Sequence, residues 1–130
     1  MTVTESPAID RAKLRRQVSS AIRAGRCDEA QEILSNTDWP HDAEWLNLMG
    51  AVLESKHQWK AALRCYGQAM RADRNYLPAQ HNMRRLYELY TFGHTDEHLL
   101  LGDERPALAL LIAARGVFRQ RETTSPGTKR

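Results

Sequence analysis

The chain has 130 residues, a mass of 14.9 kDa and a formal net charge of +3, with 42% hydrophobic and 27% charged residues. That length suits one domain with its own core, while a mean hydropathy of −0.62 and the lack of an apolar run near the ~20 residues of a spanning helix speak against a membrane protein. Few β-branched residues beside seven Gly and five Pro argue against a sandwich or barrel, and abundant Leu, Ala and Trp argue against wholesale disorder.

In chain order, Ser6-Pro7 reads as a helix start, with Ser as N-cap and Pro at the first helical position. Residues 1–6 are then a flexible N-terminus. Ile9, Leu14, Val18, Ala21 and Ile22 follow at nearly helical spacing, and Gly25 supplies a stop. Asp28 and Glu29 open a second helix, where their charges complement its dipole, and Ala30, Ile33 and Leu34 give it an apolar side. After a break at 36–40, Asp42 caps a third helix carrying Trp45, Leu46, Leu48, Met49, Val52 and Leu53. The fourth helix has Trp59, Ala62, Leu63, Tyr66, Ala69 and Met70 as a single amphipathic stripe. A fifth runs to about Tyr90, with Pro78 in its first turn and contacts from Leu77, Met83, Leu86, Tyr87 and Tyr90. Residues 92–103, with Gly93 and Gly102, read as a loop, and a sixth helix is expected from about Glu104 to Arg121. The helical domain thus spans 7–121, followed by a disordered basic tail at 122–130. The fold class is all-α.

Charge is distributed in blocks of +4 (1–26), −6 (27–58), +4 (59–92), −3 (93–114) and +4 (115–130). A nucleic-acid binder gathers one sign on one face. Alternating blocks favour contacts between segments or a mixed-sign protein-binding surface, so a nucleic-acid partner is not expected. The N-terminus has no basic region followed by an apolar one, so a secretory leader is not expected and a cytoplasmic location is. Cys27 and Cys65 lack CxxC spacing and read as small, half-buried packing residues.

The chain is internally repetitive. A shift of 32 places Leu14 on Leu46, Ala21 on Leu53, Cys27 on Trp59, Ala30 on Ala62 and Leu34 on Tyr66; a shift of 34 places Met49 on Met83 and Leu53 on Tyr87. Residues 42–76 resemble a tetratricopeptide repeat, a 34-residue helix-turn-helix, with Leu46, Met49, Gly50, Leu53, Ala62, Tyr66 and Ala69 in that family's large and small apolar slots. The small slots allow helices to approach closely. The match departs where the family's closing Pro is Arg74, where Val18 stands in the first repeat's small slot, and where residues 93–103 enlarge the third hairpin. The resemblance implies an α-solenoid of about three hairpins with an apolar C-terminal helix, and a concave groove lined by each hairpin's first helix. Carried over position by position, it assigns to the groove Arg15, Ser19, Ile22 and Arg23, then Glu44, Asn47, Ala51, Glu54 and Ser55, then His81, Arg85, Glu88 and Leu89. Some family members clamp a terminal carboxylate with Lys, Asn and Arg. Arg15 and Asn82 resemble part of that set, but the Lys and second Asn slots are unfilled, so such a clamp is not expected.

No nucleotide, metalloprotease or nucleophile-elbow motif is present, so neither catalysis nor a cofactor is expected. His94-x₃-His98 with Asp96 and Glu97 falls in a loop, which does not hold both rings on one side, so no metal site is expected either. The expected function is a protein-interaction module, an adaptor, scaffold or chaperone, that binds a partner peptide or helix in the groove. Residues 106–114 are apolar nearly all round, a pattern that demands cover. Three arrangements remain open: a cap on the repeats, insertion into the groove, or association through Leu108, Leu111 and Ile112 as a homodimer or with another protein. The last defines the alternative function, a structural or assembly-chaperone subunit associating through helix 106–118.

Overall fold

The computed structural model describes residues 10–104. These hold five helices and no strand: α1 (Arg11–Arg23), α2 (Cys27–Ser35), α3 (Ala43–Ser55), α4 (Trp59–Ala72) and α5 (Leu77–Phe92). The expected sixth helix, with Leu108, Leu111 and Ile112, and the tail at 122–130 lie outside the described residues.

Local chemistry sets most of the boundaries. α1 starts at Arg11, with the Asp10 carboxylate accepting from the Lys13 N–H at 3.1 Å. Asp10, a strong N-cap residue, takes the role the sequence assigned to Ser6, and Ser6 and Pro7 lie outside the described residues. Gly25 lies just beyond α1 with φ +81°, the left-handed conformation that ends helices at little cost for glycine. Asp42 caps α3 by accepting from the Trp45 N–H at 3.0 Å. Pro78 sits in the first turn of α5, where no intrahelical donor is lost.

The helices form two hairpins, α1/α2 and α3/α4, against which α5 packs as a fifth member. α3 is the centre: it touches α1, α2, α4 and α5. That is why its sequence is apolar on nearly every side, with Leu48, Ala51 and Val52 fully buried. The Trp45 indole N–H donates to the Leu34 carbonyl at 3.0 Å, joining the end of α2 to α3, and His41 stacks on the same ring. Ala30, Ala62, Ala69 and Ala79 are fully buried small residues at helix contacts. Gly50 is the tightest of these points. A Cβ there would lie 2.6 and 2.8 Å from Tyr66 ring carbons, so the Tyr66 ring occupies the space that any other residue would fill.

Three aromatic positions read as core are not core. Trp59 is 41% exposed, Tyr87 52% and Tyr90 86%. In sequence they fall on the apolar stripes of α4 and α5, but no described helix covers the outer side of that pair.

Ion pairs follow the charge blocks. Arg11 and Arg15 on α1 pair with Asp42 and Glu44 at the start of α3, Arg85 on α5 pairs with Glu54 on α3, and Arg23 pairs with Asp103 and Glu104. Each joins a basic block to an acidic one. The exposed pairs contribute little to stability, roughly 0–1 kcal/mol each, and their sign pattern sets register.

Candidate functional site

Residues 94–104 leave α5 at Gly93, whose φ of +83° turns the chain, and lie as an irregular strap across the face formed by α1, α3 and α5. The strap is held mainly through its main chain. The Asn82 side chain grips Leu100 from both sides: its carbonyl oxygen accepts from the Leu100 N–H at 2.9 Å and its Nδ2 donates to the Leu100 carbonyl at 2.7 Å. Asn47 Nδ2 donates to the same carbonyl at 3.0 Å, and Asn82 Nδ2 also reaches Asn47 Oδ1 at 2.9 Å. Both amides are fully buried, and every polar contact named lies within hydrogen-bond distance.

Upstream, the Arg85 Nε donates to the Glu97 carbonyl at 3.0 Å and His81 Nε2 lies 2.7 Å from the His98 carbonyl. Thr95 donates to Glu88 at 2.6 Å. Downstream, the Glu104 carboxylate accepts from the N–H groups of Leu101 (2.7 Å) and Gly102 (2.9 Å), closing a turn. Gly102 has φ +95°, and a Cβ there would meet the Tyr76 hydroxyl at 2.5 Å. The Arg23 guanidinium binds Asp103 bidentately, at 2.8 and 3.0 Å, and Glu104 at 3.2 Å. Two side chains anchor the strap: Leu100 is fully buried and Leu101 is 1% exposed. Full burial of each is worth roughly 1.5–3 kcal/mol.

Chemistry fixes the protonation of this face. A carbonyl only accepts, so His81 Nε2 carries the hydrogen. An arginine only donates, so His81 Nδ1, 3.1 Å from Arg84 Nη2, is bare. His81 is therefore neutral, and burial, reinforced by the neighbouring guanidinium groups, lowers its pKa from the ordinary 6.5. Arg23 holds the Asp103 carboxyl below the usual carboxylate range. Beneath the strap, Glu54 accepts from the Tyr66 hydroxyl at 2.8 Å and is bound by Arg85, so the group that grips Glu97 is itself anchored in the core. Burial, with Glu54 alongside, pushes the Tyr66 phenol well above its ordinary range.

The groove residues expected from the sequence are thus gathered on one face, but their surroundings differ from an open groove. Arg23, Asn47, His81, Arg85 and Glu88 bind the strap. Ser19 is buried beside Asp103. Arg15 and Glu44 pair with each other, and Glu54 with Arg85. Asn47 and Asn82, 35 positions apart, are bonded to each other. The sequence does not mark Leu100 and Leu101 as site residues because 92–103 carries no helical period, and it reads Glu104 as the start of a sixth helix, whereas its carboxylate caps the Leu101 and Gly102 N–H groups. Among the described residues no group of three His, Cys, Asp or Glu side chains is placed to hold a metal ion, and no helix is long and apolar enough to cross a membrane.

What the arrangement can do is bind an extended segment: two amides read a main-chain N–H and C=O, and adjacent buried sites take two leucines. In comparisons with known proteins, no family model, curated protein or solved structure matches the chain.

Proposed function

We propose that the chain is a protein-interaction module of the tetratricopeptide type, an adaptor, scaffold or chaperone, whose α1/α3/α5 face binds an extended segment of a partner protein. The observation that carries this reading is the double-amide grip of Asn47 and Asn82 on the Leu100 main chain. A grip on main-chain atoms tolerates different sequences, and the two leucine sites add selectivity. The Gly50–Tyr66 approach, at the small and large slots the repeat resemblance assigns, supports the same reading. Free thiols at Cys27 and Cys65 suit a reducing compartment such as the cytoplasm.

In this reading the strap at 94–104 is the chain's own ligand. A tethered segment acts at an effective concentration on the order of millimolar, so an outside partner must displace it. A full-length variant with Leu100→Asp and Leu101→Asp frees the face. A fluorescent peptide of sequence 94–104 should bind that variant saturably and bind the unaltered chain at least about tenfold more weakly. Adding Asn82→Ala to the variant should abolish binding. If the variant keeps its helical circular dichroism yet shows no saturable binding, the reading is wrong.

A further inference from the structure

The strap is held in two different ways along its length. Over 94–98 the face binds mostly main chain. Arg85 takes the Glu97 carbonyl and His81 the His98 carbonyl, while the His94, Asp96 and His98 side chains are exposed. Thr95, bonded to Glu88, and the buried Glu97 are the exceptions.

Over 100–104 each residue is constrained. Leu100 and Leu101 are buried. Position 102 selects glycine for two separate reasons: its φ of +95° is costly for a residue with a Cβ, and that Cβ would meet the Tyr76 hydroxyl at 2.5 Å. The side chains of Asp103 and Glu104 are 19% and 9% exposed, far less than acids usually are, and both pair with Arg23. Glu104 also accepts from the Leu101 and Gly102 N–H groups, so this acid builds the turn that presents the leucines and the glycine together.

Selectivity follows from that contrast. Bonds from Asn47, Asn82, His81 and Arg85 to main-chain atoms hold an extended segment without distinguishing one sequence from another. Discrimination comes from the downstream half. A wrong residue there empties a leucine site, strains the backbone at 102, or leaves Arg23 without a carboxylate. We propose that the partner segment recognised by the α1/α3/α5 face carries the pattern Leu-Leu-Gly-Asp-Glu, of which residues 100–104 are the chain's own copy. This rests on the peptide-binding reading and adds to it the chemistry of the partner: an extended stretch of tolerant sequence, followed by two leucines, a glycine and two acids.

The test uses the full-length Leu100→Asp, Leu101→Asp variant with Asp103→Asn added, so that its own strap leaves Arg23 free. Fluorescent 94–104 peptides are read by polarisation. The parent peptide should bind saturably. A peptide with His94, Asp96 and His98 all changed to alanine should bind within about threefold of it. Leu101→Ala and Gly102→Ala peptides should each bind at least about tenfold more weakly. An Asp103→Asn peptide should bind about fivefold more weakly, the upper range for an exposed ion pair. Adding Arg23→Gln to the protein should bring the parent and Asp103→Asn peptides to equal affinity, which assigns the discrimination to Arg23. A full-length Leu100→Ala, Asp103→Asn chain, a milder release of the strap, gives the same comparison if the first variant loses its helical circular dichroism. A parent peptide that fails to bind the folded variant overturns the peptide-binding reading and this proposal with it. A parent peptide that binds no better than the Gly102→Ala and Asp103→Asn peptides overturns the pattern alone. So does an upstream change that weakens binding as much as the downstream ones, and in both cases the peptide-binding reading stands.

Discussion

Asn82→Ala removes three short hydrogen bonds at once: two to the Leu100 main chain, at 2.7 and 2.9 Å, and one to Asn47, at 2.9 Å. At a net value of about 1 kcal/mol each, the loss is about 3 kcal/mol. Asn47 still donates to the Leu100 carbonyl, which reduces the loss. The Leu100 N–H and the Asn47 carbonyl oxygen are left buried without their partner, which increases it. A range of about 2–4 kcal/mol results, and at 1.4 kcal/mol per tenfold this is roughly 30- to 1,000-fold in the strap's opening equilibrium. Because all three bonds lie on the strap side of α5, the change falls on local opening. Hydrogen exchange by mass spectrometry should show faster exchange across 97–102, with α2 and α4 retaining their protection. Unchanged exchange at 97–102 would refute the reasoning, as would loss of protection throughout the molecule to the same degree.

Four further outcomes follow from the same structure. Gly50→Ala drives a Cβ into the Tyr66 ring, whose side chain is fully buried; thermal denaturation should show a loss of about 1–3 kcal/mol despite the better helix propensity of alanine. Tyr66→Phe removes a buried donor from Glu54 and should cost about 1.5–3 kcal/mol by denaturant titration. Gly102→Ala combines a positive φ with a collision at Tyr76, so it should speed proteolysis within 94–104 and leave the helical circular dichroism intact. Acidification should loosen the strap. His81 has a folded pKa below its unfolded 6.5, so the unfolded chain takes up protons first, and stability is lost as pH falls below 6.5. Protonation also places an N–H against Arg84. Strap exchange measured between pH 7 and 5 should rise beyond the intrinsic pH effect, and His81→Gln should flatten the rise.

Much of this architecture is legible in the sequence because it is local or periodic. The caps at Asp42 and Gly25, the first-turn Pro78 and the Gly50–Tyr66 approach all arise from residues whose chemistry leaves few alternatives. The alternating charge blocks were a legible signal of segment pairing: the acidic 93–114 block meets basic α1 at Arg23, and basic α5 meets the acidic 27–58 block where Arg85 pairs with Glu54. The strap was not legible. Its bonds run from side-chain amides to main-chain atoms up to 53 positions away, and main-chain recognition leaves no residue pattern in the segment recognised. Asp10 caps α1 with a side chain well suited to that role, a position that the apolar spacing from Ile9 onward does not mark. The exposed side of Trp59, Tyr87 and Tyr90 was read as core because an apolar stripe shows that a face seeks cover and not which segment supplies it.

The central claim is that Asn47 and Asn82 read an extended main chain, whichever molecule supplies it. The most direct measurement follows their side-chain amide resonances by NMR in the full-length Leu100→Asp, Leu101→Asp variant. Releasing the strap should shift both amides away from their positions in the unaltered chain, and adding the 94–104 peptide should return both to them. A peptide that leaves these two resonances unmoved, or that binds while shifting only residues elsewhere, would contradict the account.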